Sequence, residues 1–492
     1  MSNNSGMALE KVPTGINGFD PIALGGLPSG RCTLVTGSTG TGKTLFAMEF
    51  LARGVAKYGT PGVFVTFEEP PADLRRNATS LGFPIEQWEA EGKWRFVDAS
   101  VDTSQESTTT GYYNYAALVS RIESAVNTIN AERVCIDSIG AVLARYPNVA
   151  SVRAELFRFV SHLKELGVTS VVTAERLQEY NGVSKLGVEE FVLDNVIVLR
   201  NVLRGERRRR TVEIVKFRGA PHRTGEWLFT IDPIDGLVII PLAFLRPGTH
   251  ASTERVSTGN PGLDRMCGGG IYRDSIVMLT GPTGSGKTLT GLKFTQAAFD
   301  AGERCLLYTF DETLEQLSRS AMGWGLDLAA MQQTGRLRVV SSYPETASIE
   351  DHFLNVRREI ETFQPRRVVI DTLSALERIV APRGLLDFVL ALSALLREGQ
   401  ISSLYTSAPT GRFTSSLTPA IASEIASLID TTITLRYVVR AGNMHRVIAI
   451  LQHRGSGHDT AIRQVAIDDD GMHIGDPLPD ATPLHDEEDY TP

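Results

Sequence analysis

Gly37-Ser38-Thr39-Gly40-Thr41-Gly42-Lys43-Thr44 and Gly281-Pro282-Thr283-Gly284-Ser285-Gly286-Lys287-Thr288 share the spacing GxxxxGKT, which suits the phosphates of a nucleotide. In such a loop, consecutive backbone N–H groups at a helix N-terminus face phosphate oxygens, with the helix dipole behind them. Lys43 and Lys287 would reach the β- and γ-phosphates, and the hydroxyls of Thr44 and Thr288 would ligate Mg²⁺. Splitting a nucleoside triphosphate also needs an acid on the metal side and an acid that positions water. Asp137 and Asp371 end the apolar runs Val134-Cys135-Ile136 and Val368-Val369-Ile370, the expected place for a carboxylate holding a metal-bound water. A cap on the next helix is the plainer reading of an aspartate there. Phe67-Glu68-Glu69 and Phe310-Asp311-Glu312 supply paired acids, one of which in each pair could activate water. A solvated loop charge or first-turn acid is the plainer reading for any one of them, and the recurrence of the pair weighs against it.

These residues work only if strands and helices bring them together. Short β-branched runs at 32–36, 63–67, 134–136, 170–173 and 196–199 alternate with helical patterns, and recur at 276–280, 305–310, 368–370, 402–406 and 432–435. Strand–helix alternation predicts an α/β fold with a mainly parallel sheet, and helices over 44–57 and 288–301 start from the glycine-rich loops. Thr14-Gly15-x-x-Gly18-x-Asp20 falls on Thr258-Gly259-x-x-Gly262-x-Asp264, and Gly37 falls on Gly281, both at an offset of 244 residues. The chain is therefore read as two copies of one P-loop NTPase domain, residues 1–246 and 247–475, joined by a short linker around Pro241, Pro247 and Gly248. An acidic tail, 476–492, is too polar to support a core and is expected to be disordered.

The 492 residues exclude a small stapled scaffold, and the net charge of −8 is unevenly placed. The first 246 residues carry 27 basic and 27 acidic side chains, while residues 468–492 hold nine acids and neither lysine nor arginine. No global basic charge argues for duplex nucleic acid by counterion release. The polar start and the lack of 18 consecutive apolar residues lead to a cytoplasmic expectation without a membrane partner. Cys32, Cys135, Cys267 and Cys305 lack CxxC spacing and read as packing residues rather than metal ligands.

Duplicated in this order, the motifs resemble the RecA-like KaiC family, the ATPase and autokinase of circadian clocks, over residues 10–475. The run Asn201-Val202-Leu203-Arg204-Gly205-Glu206-Arg207-Arg208-Arg209-Arg210-Thr211 is characteristic of that family's first domain. The resemblance implies a homohexameric ring with ATP at subunit interfaces, ATP hydrolysis in the first ring, and Ser/Thr autophosphorylation in the second. It also implies that a neighbouring subunit inserts basic residues at the γ-phosphate, a position matched by Lys216-Phe217-Arg218 in copy one. Copy two reads Gln452-His453-Arg454, keeping the arginine and losing the lysine charge. Asp311 stands where the family has a glutamate proposed as base for the acceptor hydroxyl, and the family's Ser-Thr acceptor pair falls on Ala426-Ser427. Ser427 is thus the one acceptor expected, with a plain helix-surface serine as the alternative. The tail that recruits KaiA in the family is short and acidic here, so KaiA is not expected as a partner, while a KaiB-like partner on the first domain is compatible with the sequence. Two rivals stand beside this reading. A RecA-type DNA-dependent ATPase could use the four-arginine run 207–210 as a nucleic-acid stripe, although Glu206 and Glu213 flank it and aromatic stacking partners are lacking. An ATP-gated hexameric scaffold without kinase activity is favoured by Gln452 and Ala426.

Overall fold

The computed structural model describes residues 9–100, 115–140, 148–180, 189–204, 207–240, 252–408, 425, 427–440 and 442–478. The linker prolines, Glu206, Ala426 and the acidic stretch from 479 onward lie outside the described residues. The chain divides into two compact units, Met1–Phe244 and Leu245–Pro492.

In the first unit the sheet strands are β1 (Cys32–Gly37), β2 (Gly62–Thr66), β3 (Trp94–Asp98), β4 (Arg133–Asp137), β5 (Thr169–Glu175), β6 (Asn195–Arg204), β7 (Arg207–Phe217), β8 (Glu226–Asp232) and β9 (Gly236–Ile239). Among the described residues they form one sheet in the order β3-β2-β4-β5-β1-β6-β7-β8-β9. The first six are mutually parallel and the last three antiparallel. The second unit repeats the plan with β10 (Ile276–Thr280), β11 (Cys305–Thr309), β12 (Leu337–Ser341), β13 (Arg367–Asp371), β14 (Ser402–Ser407), β15 (Thr431–Arg440), β16 (Asn443–His453), β17 (Arg463–Asp468) and β18 (Gly471–Pro477). Its order, β12-β11-β13-β14-β10-β15-β16-β17-β18, is the first order shifted by nine labels. The α/β fold with a mainly parallel sheet is borne out twice.

The parallel strands are near-continuous apolar runs because both faces of the sheet are covered. Every residue of β1 and β2 is buried. Alternation still divides them: Val35 packs with Phe46 and Phe50 of helix α1 (Lys43–Tyr58), while Leu34 packs with Leu118 and Ile122 of α2 (Tyr115–Ile129) and Leu156 and Phe159 of α3 (Val149–Glu165). In the second unit α4 (Lys287–Asp300) puts Leu289, Leu292 and Phe294 into the matching core. The base of β4 is braced by Arg133, which is buried, donates to the Phe50 carbonyl at 2.9 Å and lies 4.8 Å from the Phe50 ring. All four cysteines are buried and free, and burial pushes their thiols up, Cys32 to about 11.

Candidate functional site

Because β1, β2 and β4 run parallel, Gly37, Glu68-Glu69 and Asp137 arrive at the same carboxyl edge of the sheet, where open α/β sheets bind ligands. A cleft of about 450 Å³ opens there, lined by Lys43, Thr44, Glu68, Glu69 and Asp137. The second unit has one of about 480 Å³ lined by Lys287, Thr288, Asp311, Glu312 and Asp371. The fold thus gathers the loop, metal-side and paired acids predicted for each copy. Gly37 is required by packing, since a Cβ there would lie 2.3 Å from the Leu199 carbonyl oxygen. Gly42 and Gly286 start their helices with φ of 101° and 108°, which an L side chain rarely adopts.

The Lys43 ammonium donates to the carbonyls of Gly37 (3.0 Å) and Ser38 (2.9 Å), and Lys287 does the same to Gly281 (2.7 Å) and Pro282 (3.0 Å). Burial lowers both lysine pKa values, against the pull of nearby acids such as Glu175 and Asp137 for Lys43 and Asp371 for Lys287. Asp371 accepts from Thr288 Oγ1 at 2.8 Å and from the Thr406 hydroxyl, and Asp137 accepts from the Thr173 and Thr44 hydroxyls. Burial raises both aspartates, and the hydroxyl donors oppose it. The peptide bond after each aspartate, to Ser138 and to Thr372, is cis. Among the described residues no three His, Cys, Asp or Glu converge as a cage. One hydroxyl and one carboxylate beside a phosphate loop fit Mg²⁺ instead, a hard cation that takes few protein oxygens and completes its shell with water and phosphate.

The paired acids differ in their ties. Ser138 Oγ donates to Glu68 Oε1 at 2.9 Å, while Thr66 Oγ1 fixes the Glu69 backbone carbonyl at 2.6 Å. Burial, then Asp137, Asp73 and Glu68, raises the Glu69 pKa. Burial, then Asp371 and Asp311, raises Glu312. Asp311 is clasped by Arg378, whose Nη1 and Nη2 both lie 3.0 Å from Oδ1 while its Nε donates to Glu345 at 2.8 Å.

Four predicted residues are not in their own cleft. Phe217 pairs with Asn195, whereas Gly37 pairs with Leu199, so the end of β7 stands four residues, about 13 Å at 3.3 Å per residue, toward the opposite edge of the sheet. Lys216 and Arg218 flank that end. Lys216 donates to the carbonyls of Leu193 (2.8 Å) and Glu190 (3.2 Å), and its pKa is lowered by burial and then by Arg218. Arg218 is 56% exposed, with Nη1 3.7 Å from Asp194. In the second unit Arg454 follows β16, its N–H bonded to the Asp430 carbonyl at 2.9 Å, and Gln452 donates to the Ile429 carbonyl at 3.1 Å as Lys216 does to Leu193. Ser427 is exposed, three residues before Asp430 and hence at this same far edge.

Several contributors escaped the sequence reading. Ser138 orients Glu68, Glu179 accepts from the Ser38 hydroxyl of the loop, and Arg378 binds Asp311. Thr173 and Thr406 occupy matched places on β5 and β14, so the repeat itself held a signal for them. The arginine run lies on β7, with Arg208 donating to the Asn201 carbonyl at 2.9 Å.

A protein-family model described as "ATPase: KaiC" matches residues 12–243 and again residues 256–478. Among curated proteins, the "Circadian clock protein KaiC3" of Synechocystis sp. is 47% identical over 475 residues, covering 96% of this chain and 93% of that protein. The "Circadian clock oscillator protein KaiC" of Thermostichus vulcanus is 45% identical over 475 residues, covering 96% of this chain and 91% of that protein. That of Parasynechococcus marenigrum is 43% identical over 476 residues, covering 96% and 92%. No helix among the described residues is long and apolar enough to cross a membrane.

Proposed function

The chain belongs to the KaiC family, and on that premise we propose that it is a cytoplasmic, homohexameric timing or signalling switch driven by ATP. Residues 1–246 hydrolyse ATP, and residues 247–475 transfer the γ-phosphoryl group to Ser427. One observation carries this reading: the groups suited to phosphate, Mg²⁺ and water share one sheet edge, while Lys216, Arg218, Arg454 and Ser427 stand at the other. That placement supports a reading in which a second copy completes each cleft.

In the first domain Glu68 or Glu69 orients water on the γ-phosphorus and takes its proton, the P–O bond to ADP breaks, and Lys43 holds the phosphates. Lys216 and Arg218 of a neighbouring copy neutralise charge that grows in the transition state. Thr44 with Asp137, and Thr288 with Asp371, would hold Mg²⁺, which would supply charge neutralisation to the phosphates. In the second domain Asp311 or Glu312 takes the proton of an incoming Ser427 hydroxyl. A KaiB-like protein is the partner this reading accommodates, and KaiA is not.

Incubation with Mg²⁺ and γ-labelled ATP, followed by peptide mapping, tests the kinase half. Label on Ser427 that disappears in Ser427→Ala and Lys287→Ala supports it. Turnover without label favours the second reading, an ATP-gated hexameric scaffold, to which the neutral Gln452 and the Arg378 clasp on Asp311 both point.

A further inference from the structure

Asp194 closes the short segment before β6, and its carboxylate is fully buried. Three cations share it. Lys164 Nζ lies 2.8 Å from Oδ2 and 3.0 Å from Oδ1, Arg31 Nη1 lies 3.4 Å from Oδ1, and Arg218 Nη1 lies 3.7 Å from Oδ1. The Cys32 N–H adds a donor to Oδ2 at 3.4 Å. The neighbouring backbone serves Arg218 and the nearby Lys216. The Leu193 carbonyl accepts from Lys216, and the Arg218 N–H donates to both the Asp194 carbonyl and Asn195 Oδ1, each at 3.3 Å. Asn195 is itself pinned by its Nδ2 donating to Thr33 Oγ1 at 3.0 Å.

A buried carboxylate bound to a single arginine would hold that arginine, since pulling it away strands a charge in low dielectric. Here the loosest of the three contacts belongs to Arg218, which is also the more exposed partner at 56% against 33% for Arg31 and Lys164. Arg31 and Lys164 can keep Asp194 satisfied when Arg218 swings outward. One anion among three cations also leaves Arg218 only partly neutralised. The second unit keeps part of this arrangement, with Arg397 in the place of Lys164 and the Ile276 N–H in the place of the Cys32 N–H, but its aspartate is 25% exposed rather than fully buried. Asp430, the counterpart of Asp194, is bound by the Arg397 guanidinium at 3.1 Å to both oxygens and by the Ile276 N–H at 2.9 Å.

We propose that Asp194, shared among Arg31, Lys164 and Arg218, is a positioning residue for phosphoryl transfer, aiming Arg218 at the γ-phosphate bound by a neighbouring copy while leaving it free to move. The inference rests on the proposed trans role of Arg218. Asp194 touches no substrate and acts through that arginine, with Lys164 setting how tightly the arginine is held.

The test is a double-mutant cycle in full-length protein carrying Lys287→Ala, so that turnover reports the first domain. Asp194→Asn is expected to lower kcat about tenfold or more with little change in KM for ATP, and Arg218→Ala at least as much. The Asp194→Asn/Arg218→Ala double variant should be no slower than Arg218→Ala alone. Independent, multiplying losses in the double variant overturn the inference while leaving the trans arginine standing. An unchanged kcat in Arg218→Ala overturns the trans role itself. Because Asp194→Asn leaves three cations without their anion, Lys164→Gln supplies a milder probe, with native mass confirming the ring. It tightens Arg218 on Asp194, and the expected result is a several-fold lower kcat that vanishes in an Arg218→Ala background. A Lys164→Gln loss that persists in that background counts against the proposal.

Discussion

Gln452 is the place where one substitution should move activity upward. Its Nε2 donates to the Ile429 carbonyl at 3.1 Å, and the matched residue, Lys216, donates to the Leu193 carbonyl at 2.8 Å, so the backbone already offers a lysine the acceptor it uses in the first unit. Gln452→Lys then adds one unit charge at the far edge beside Arg454 with no change of scaffold. At an effective dielectric of about 20 and roughly 6 Å from a γ-phosphate across an interface, one charge pair is worth about 2.8 kcal/mol. Only the part that grows between bound ATP and the transition state accelerates the reaction. Taking about half gives about 1.4 kcal/mol, or roughly tenfold in rate. The assay is the initial rate of label incorporation on Ser427 at saturating ATP, in chains carrying Lys43→Ala so that the first domain is silent. The converse, Lys216→Gln in Lys287→Ala chains, should slow ATP turnover by a similar factor. A Gln452→Lys protein that assembles normally and labels at the parent rate refutes the argument that this position sets charge at the second site.

Three further outcomes follow from the geometry. Burial and three neighbouring acids raise Glu69, so its base form is lost at a higher pH than for an ordinary glutamate; first-domain turnover should fall on acidification earlier than usual, and Glu69→Gln should abolish that limb of the pH–rate profile along with most of the rate. Thr288→Val removes the hydroxyl 2.8 Å from Asp371 and should raise the Mg²⁺ concentration needed for ATP binding to the second domain roughly 10- to 100-fold, measured by titration in Lys43→Ala chains. Gly54→Ala places a Cβ 2.8 Å from Arg133 Cδ and Nε, and should lower the melting temperature of the first unit by roughly 3–8 °C through overpacking, read by calorimetry.

The parts of the site that sequence conveyed are those whose chemistry is local. A phosphate loop needs its glycines, lysine and threonine within eight residues, and the strand before it is an unbroken apolar run, so 32–36 anticipates β1 (Cys32–Gly37) and 276–280 matches β10. Asp137 and Asp371 were legible because an acid at the end of a buried run has nowhere to be but the sheet edge. The contacts that were not legible join residues distant in the chain: Ser138 to Glu68, Ser38 to Glu179, Arg378 to Asp311. No periodicity encodes such pairs. The strands β3 and β12 at one edge of each sheet were missed because only part of each is buried, which blurs the apolar run. The placing of Lys216 opposite its own cleft came only from register, since β7 reverses direction after β6 and carries its C-terminal end away from Gly37.

The duplicated frame separates what backbone geometry demands from what charge can vary. Loop glycines, the threonine pair on each metal-side aspartate, and the carbonyl that receives residue 216 or 452 are common to both units because each is a constraint of shape. Three divergences are electrostatic: Lys216 against Gln452, Glu68 against Asp311 with its Arg378 clasp, and the fully buried Asp194 against the 25% exposed Asp430. The first removes basic charge at the far edge of the second unit, and the second ties an acid of its cleft to a cation. Two sites with one architecture can thus run at different rates on the same nucleotide. A difference in charge on a shared frame is a physical route to two sites of different rate without change of fold, and the reciprocal exchange of Lys216 and Gln452 is where that route can be traced backward.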